Sequence, residues 1–253
     1  IPAGIFTMGA NDAPHPEDGE GPSREVELSA YDIAIAAVSN EDFSRFVTAT
    51  RYVTVAERAG GSLVFGGQLV NPDDHAVPNP VTPWWHWVKG ACWYRPDGRG
   101  AAVPDLPAVH IAFEDALLFC QWSGARLPTE AEWECAASDQ PVSHPHIWQG
   151  QFPDAPTHPP GPRPVNDANA NGHGLQHACG NVWEWTADRF ARLQPARLIT
   201  NPTGPLNGDK RVVKGGSFLC CASYCARFRP TSRRGEFPQT TASHTGFRIA
   251  RDV

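Results

Sequence analysis

The chemistry open to this chain is concentrated at sulfur. Cys220 and Cys225 lie in the run Gly215-Gly216-Ser217-Phe218-Leu219-Cys220-Cys221-Ala222-Ser223-Tyr224-Cys225-Ala226-Arg227-Phe228-Arg229. Thiolates are soft ligands that select Cu(I), Zn(II) or iron–sulfur clusters over hard cations. A thiol pair beside a polar Gly-Gly-Ser turn therefore points to metal or redox chemistry at sulfur. The four residues between the two cysteines fit neither a zinc ribbon nor a Cys-x-x-Cys redox pair. No second Cys or Cys/His pair has the spacing that would complete a tetrahedral zinc site. On the residues alone, two inert buried thiols or a disulfide remain as alternatives, because free Cys is among the most buried residue types.

The elements that must position this segment can be read from pattern and punctuation. Gly4 to Gly9 and Arg24 to Ile33 alternate apolar and polar residues and are expected to form strands. Ser39 is placed to cap a helix that carries Phe43, Phe46 and Val47 on one face. A second helix is expected from Phe113 to Trp122, ending at Gly124, whose missing Cβ suits a left-handed turn. Thr129 and Glu132 have the spacing of a capping box after Pro128 and predict a third helix through Cys135. The Pro-rich stretch from Pro153 to Pro164 should be irregular. Arg211 to Val213 and Gly246 to Ala250 are expected to be late strands flanking the cysteine segment. No internal repeat is present. With 23 Gly and 25 Pro in 253 residues, the fold class is α+β and loop-rich, without the low-complexity pattern of disorder.

The length suits one domain over residues 1–253, with no linker-like stretch to divide it. A net charge of −6 and a pI near 5.9 argue against a broad nucleic-acid surface. No apolar run is long enough to span a membrane, and Ile1 opens no signal-peptide pattern. The expectation is a monomer with neither nucleic acid nor membrane as partner.

Nearly the whole chain resembles the formylglycine-generating enzymes, or sulfatase-modifying factors. The likeness runs from Ile1-Pro2-Ala3-Gly4-Ile5-Phe6-Thr7-Met8-Gly9 through Val38-Ser39-Asn40-Glu41-Asp42-Phe43 and Pro83-Trp84-Trp85. It continues through Arg126-Leu127-Pro128-Thr129-Glu130-Ala131-Glu132-Trp133-Glu134, Ile147-Trp148-Gln149-Gly150 and Gly180-Asn181-Val182-Trp183-Glu184-Trp185-Thr186. It ends with Ser243-His244-Thr245-Gly246-Phe247-Arg248. Several of these motifs are shared with sulfoxide synthases of ergothioneine biosynthesis and with lectin-like binding proteins, so they specify the fold more narrowly than the activity. The synthase reading is disfavoured for want of a suitable His cluster. The Trp-rich segment, the Ile147-Trp148-Gln149-Gly150 run and the cysteines after Gly-Gly-Ser resemble the oxidase branch.

The resemblance implies a formylglycine-generating enzyme fold, a C-type-lectin-like variant, and an oxidase that uses O2 and a thiol reductant. Its substrate would be a cysteine-containing peptide or unfolded sulfatase, with the cysteine in a Cys-x-Pro-x-Arg motif. Cys220 and Cys225 would hold Cu(I) between two sulfurs, leaving room for the substrate thiolate. Ser217 matches an active-site serine and Trp183 an aromatic wall; turn formation and core packing are their plainer roles. Arg233, His244 and Tyr224 are the expected substrate-binding residues, with a surface salt bridge as the plainer role for Arg233. A different thiol or peptide substrate, or a noncatalytic binding module on the same fold, are the other functions the sequence admits.

The chain departs from the family pattern at several positions. His244 stands where the family has Asn and would add a group titrating near neutral pH. Cys221 is an extra thiol that could compete for metal or form a disulfide. The family's two calcium sites are doubtful here, because His146 and His177 replace Asn ligands, although Gly180, Val182 and Glu184 match. Gly-Phe-Arg-Cys reads Gly246-Phe247-Arg248-Ile249, which leaves Cys120 without the partner that the resemblance implies. Seven cysteines with that pairing lost point to a reducing, bacterial-type cytoplasm, with export left open.

Overall fold

The computed structural model describes residues 1–139, 144–192 and 197–253. Its first strands follow the alternation in the sequence. β1 (Gly4–Met8) pairs antiparallel with β2 (Arg24–Leu28). The expected strand from Arg24 to Ile33 is broken at Ser29 and Ala30. Its second part is β3 (Tyr31–Ile33), which leaves this sheet to pair with a C-terminal strand.

The helices start where side chains can satisfy exposed backbone N–H groups. α1 (Asn40–Thr50) is capped by Ser39, whose Oγ accepts the Asp42 N–H at 3.1 Å, and it buries Phe43 and Phe46. α2 (Val55–Ala59) was not expected, although the Thr54–Glu57 capping box that starts it is legible in the sequence. It leads into β4 (Gly61–Phe65), which pairs antiparallel with β5 (Trp85–Lys89). α3 (Phe113–Ser123) ends at Gly124, at φ 63°. α4 (Glu130–Ser138) carries the expected box: Thr129 Oγ1 accepts the Glu132 N–H at 3.1 Å, and Glu132 accepts the Thr129 N–H at 2.7 Å. It extends past Cys135, because Ala136 and Ala137 are buried as well.

Short strands complete the frame. β6 (Gly150–Gln151) and β7 (Ala155–Pro156) form a small hairpin, the second of them inside the stretch expected to be irregular. β8 (Trp183–Arg189) lies inside a four-stranded sheet. β9 (Ile199–Thr200) joins the edge of β2. β10 (Arg211–Lys214) runs antiparallel to β8, and β11 (Arg233–Glu236) antiparallel to β10. The single late strand expected from Gly246 to Ala250 is two strands in different sheets. β12 (Thr245–Phe247) runs parallel to β8, and β13 (Ala250–Asp252) pairs with β3. No helix among the described residues is long and apolar enough to cross a membrane.

The main core packs Phe43, Phe46, Phe119, Trp185 and Phe247 together with Cys220 and Cys225, so the sulfur pair is built into the largest buried cluster among the described residues. Beside it lies a buried ion pair. Arg248 donates from Nε and Nη2 to the two Glu184 oxygens at 2.6 and 2.8 Å, and Trp133 Nε1 donates to Glu184 at 2.6 Å. The remaining Arg248 donors reach the carbonyls of Ala34 and Gln176 at 3.0 Å. Breaking one side of such a pair leaves a buried charge without compensation. Glu184→Gln should therefore lower the unfolding free energy by about 3–5 kcal/mol, read from the shift in denaturant midpoint.

Candidate active site

The cysteine segment begins at a turn that only glycines fit. Gly215 and Gly216 adopt φ of 89° and 74°. A Cβ at Gly216 would lie 2.3 Å from the Arg227 carbonyl oxygen. This close approach folds Arg227 back over the turn and brings the two ends of the segment together. Gly180 N–H donates to the Gly215 carbonyl and Phe218 N–H to the Asn181 carbonyl, at 2.8 and 2.9 Å, docking the turn on the loop that leads into β8. Trp148 N–H then donates to the Cys220 carbonyl at 2.9 Å. The Cys221 carbonyl accepts from the N–H groups of Cys225 and Ala226, which closes the loop between the two cysteines.

Cys220 and Cys225 come together as free, buried thiols. The Cys220 thiol donates a hydrogen bond to the Cys225 sulfur, which holds the Cys225 pKa below the ordinary thiol range against the opposing effect of burial. Backbone N–H groups of Arg227 and Cys221 add to this lowering. The same bond and burial push Cys220 well up, partly offset by hydrogen bonds from Ser217. Two free thiols lining one cavity are soft donors of the kind that soft ions select. Ser217 is fully buried and has both roles considered for it, bonding the Cys220 sulfur and accepting the Leu219 N–H in the turn.

These sulfurs line a cavity of about 170 Å³. Trp183 forms part of its wall, and Tyr224 stands at the wall stacked on Phe152 at 4.4 Å between ring centres. Trp84 packs edge-on against both, and Trp85 lies 4.7 Å from the His244 ring. A larger hollow of about 640 Å³ beside Arg126 contains Cys120 but no paired thiols, so chemistry rather than size locates the site.

The loop after the cysteines is clamped by an acidic stretch near the N-terminus. Arg227 bonds Asp18 through Nε at 2.5 Å and lies 3.5 Å from Glu17. Arg229 binds both oxygens of buried Glu20, which also accepts from Thr231. His15 Nε2 donates to the Cys225 carbonyl at 2.6 Å. Sequence reading missed this clamp. Its one signal was charge complementarity between Glu17-Asp18-Gly19-Glu20 and Arg227-Phe228-Arg229, segments too far apart for any periodic pattern to connect.

Several expectations are corrected. Arg233 is not at the cavity but buried elsewhere. Its guanidinium bonds Glu130 at 2.5 and 2.9 Å and the carbonyls of Asp18 and Ala191, over the Phe190 ring. Neighbouring strand residues face opposite sides, so it is Arg234 that lines the cavity. His244 does line it, but burial, with help from the Arg234 charge, pushes its pKa down to about 3. It is therefore a neutral imidazole at physiological pH rather than a group titrating near neutrality. Cys221 faces away from the other two cysteines, into an apolar cluster with Phe65, Trp148 and Phe218.

The residues matched to calcium do not fit that ion. Both Glu184 oxygens are taken by Arg248 and Trp133. His177 Nε2 bonds Asp167 and the Pro164 carbonyl, and His146 Nε2 bonds the Gly161 carbonyl at 2.8 Å. Hard calcium needs oxygen donors that these groups no longer offer.

The lowered pKa of Cys225 sets a test on the metal-free protein. Ultraviolet thiolate absorbance should show a step below the ordinary thiol range that belongs to Cys225, because burial pushes Cys92, Cys120, Cys135 and Cys179 the other way. A lowered pKa means that the thiolate is already present at neutral pH and is lost as pH falls. Cys220→Ala removes the donor and should move that midpoint upward. An unchanged midpoint would mean that the low-titrating thiol is not held by Cys220.

Comparison with known proteins places the chain among relatives of one family. The chain is 46% identical to the formylglycine-generating enzyme of Thermomonospora curvata, over 100% of its own length and 92% of that protein. It is 42% identical to the Bos taurus formylglycine-generating enzyme, over 100% of this chain and 74% of that one. It is also 38% identical to a Mus musculus protein named inactive C-alpha-formylglycine-generating enzyme 2, over 99% of this chain and 84% of the other. Among solved structures, PvdO from Pseudomonas aeruginosa superposes with a TM-score of 0.72 at 19% identity, covering 100% of this chain and 93% of that one, which is a likeness of fold. The family model of the sulfatase-modifying factor enzyme 1-like domain matches residues 1–253, and the chain belongs to that family.

Proposed function

We propose that the chain is a copper-dependent oxidase that converts a peptide cysteine, in a sulfatase-type Cys-x-Pro-x-Arg segment, to formylglycine. The observation that carries the reading is the pair of free, buried thiols, Cys220 and Cys225, lining one aromatic-walled cavity. A noncatalytic binding module has no need of two such thiols. Cu(I) is the ion proposed for the pair, and when bound it supplies an electron donor toward O2 and a position for a third sulfur.

The chain's own residues set the conditions for that chemistry. At about 170 Å³ the cavity admits a side chain and O2 rather than a folded domain. The substrate cysteine must therefore arrive on an extended segment. Trp183 and Trp85 keep water from the sulfurs, and Phe152 and Tyr224 line the approach. The Ser217 hydroxyl holds electron density on Cys220 through its hydrogen bond. In the overall reaction the substrate thiol side chain and O2, with two hydrogens from two reductant thiols, give the aldehyde, hydrogen sulfide, water and one disulfide. Seven free cysteines suit a reducing cytoplasm as the compartment.

The test is to incubate the Cu(I)-loaded protein with a Cys-x-Pro-x-Arg peptide, O2 and a thiol reductant, and to follow the mass loss as the cysteine thiol gives way to an aldehyde. Conversion is expected, and Cys220→Ser or Cys225→Ser should reduce it by more than about a hundredfold, as loss of a metal-site group does. A double-Ser variant that binds Cu(I) as tightly as the parent would overturn the proposed site.

His244 yields a separate expectation. Because its ring stays neutral down to about pH 3, His244→Asn should leave the near-neutral limb of the pH profile of kcat/KM where it was. A limb that flattens in the variant, measured on the same peptide, would show that His244 titrates after all.

A further inference from the structure

We propose that Arg234 gives the cavity a preference for peptides with an acidic residue beside the reacting cysteine. The inference rests on the reading that a peptide cysteine enters this cavity. Two cationic side chains, Arg227 and Arg234, line it, and among the described residues no carboxylate does. Arg227 is engaged from behind by Asp18 and Glu17. Arg234 has one ion-pair contact among the described residues, Nη2 to Glu236 at 3.2 Å, and its side chain is 49% exposed. A lone surface ion pair of this kind holds its partner weakly, and a guanidinium has donors to spare.

Two observations fix where that charge acts. β11 pairs with β10, placing Arg233 opposite Lys214 and Arg234 opposite Val213. Arg233 is pinned inward by Glu130, so alternation along the strand turns its neighbour to the cavity side. The Arg234 charge also reaches into the cavity, since it contributes to the lowered proton affinity of His244. A carboxylate on a residue flanking the substrate cysteine would meet this guanidinium, whereas a flanking Lys or Arg would be repelled. The arginine of a Cys-x-Pro-x-Arg segment does not conflict. At ~3.3 Å per extended residue it sits about 13 Å from the cysteine, beyond the ~8 Å screening length of physiological salt.

The experiment uses the full chain and three peptides that differ only at the residues immediately before and after the cysteine, which are both Glu, both Gln or both Lys. Each peptide is also made with Ser in place of the reacting Cys, so that affinity can be read without turnover from the intrinsic fluorescence of the cavity tryptophans. For the Ser peptides the expected order is Glu tighter than Gln by about three- to fivefold, and Lys weaker still. Arg234→Gln should erase the order, Arg234→Glu should reverse it, and raising the salt should compress it. Arg234 is half exposed, so neither change removes a core contact. Equal affinities in the parent, or an order that survives in both variants, would overturn the proposal. If the Ser peptides rank as expected while no Cys peptide is converted, the charge preference stands and the oxidase reading falls.

Discussion

The buried pairing of Glu184 with Arg248 is the constraint on which the site depends. Glu184 lies between Trp183 and Trp185 on β8, and Arg248 directly follows β12, so their two hydrogen bonds fix the parallel register of these strands. That register places Trp183 N–H on the His244 carbonyl at 2.8 Å, and with it two walls of the cavity. Trp133 Nε1 completes the set from α4, tying the helix to the same carboxylate. A buried ion pair gives little net stability when its desolvation cost is counted. Its value here is that Glu184 and Arg248 satisfy each other in only one alignment of the strands.

The cysteine segment has little regular structure of its own and borrows its rigidity. One end is fixed by the Gly215–Gly216 turn, where left-handed backbone and the close Arg227 carbonyl exclude any side chain. The other end is held by charges that come from the beginning of the chain: Asp18 to Arg227 and Glu20 to Arg229. Glu20 is buried, so its bonds to Arg229 are made in a medium where charge is poorly screened, and leaving one unmade would be costly. The sulfur pair is thereby set by contacts from opposite ends of the sequence, meeting at one loop.

Local grammar was the most legible part of this chain. Ser39, Gly124, Thr129 and Glu132 mark their helix ends because a cap is satisfied within a few residues of itself. β8 was not legible, since its polar residues are buried and satisfied by partners far away. Thr186 donates to the Val212 carbonyl, and Asp188 accepts the Glu130 N–H. Motif likeness singled out Cys220, Cys225, Ser217, Trp183 and Tyr224, and the fold gathers these five around one cavity. It erred at Arg233 by one position, and in a strand one position is the difference between the two faces. The near-neutral titration expected of His244 is opposed by its burial, which residue type does not carry. An imidazole's proton affinity belongs to its surroundings, and these are apolar rings and a guanidinium.

The same alternation of environment settles how many thiols meet in the cavity. Three cysteines fall within six residues, from Cys220 to Cys225, and a third thiol converging on the other two would change the donor set offered to a soft ion. Cys220 and Cys221 are adjacent yet belong to different clusters, the first to the main core around Trp183 and the second to the apolar cluster of Phe65 and Trp148. The Cys221 carbonyl, meanwhile, accepts the N–H groups that close the loop. Cys221 therefore shapes the loop through its backbone while its sulfur is given over to packing, as a small hydrophobe would be. The cavity of about 170 Å³ is left with two sulfurs in its wall, those of Cys220 and Cys225.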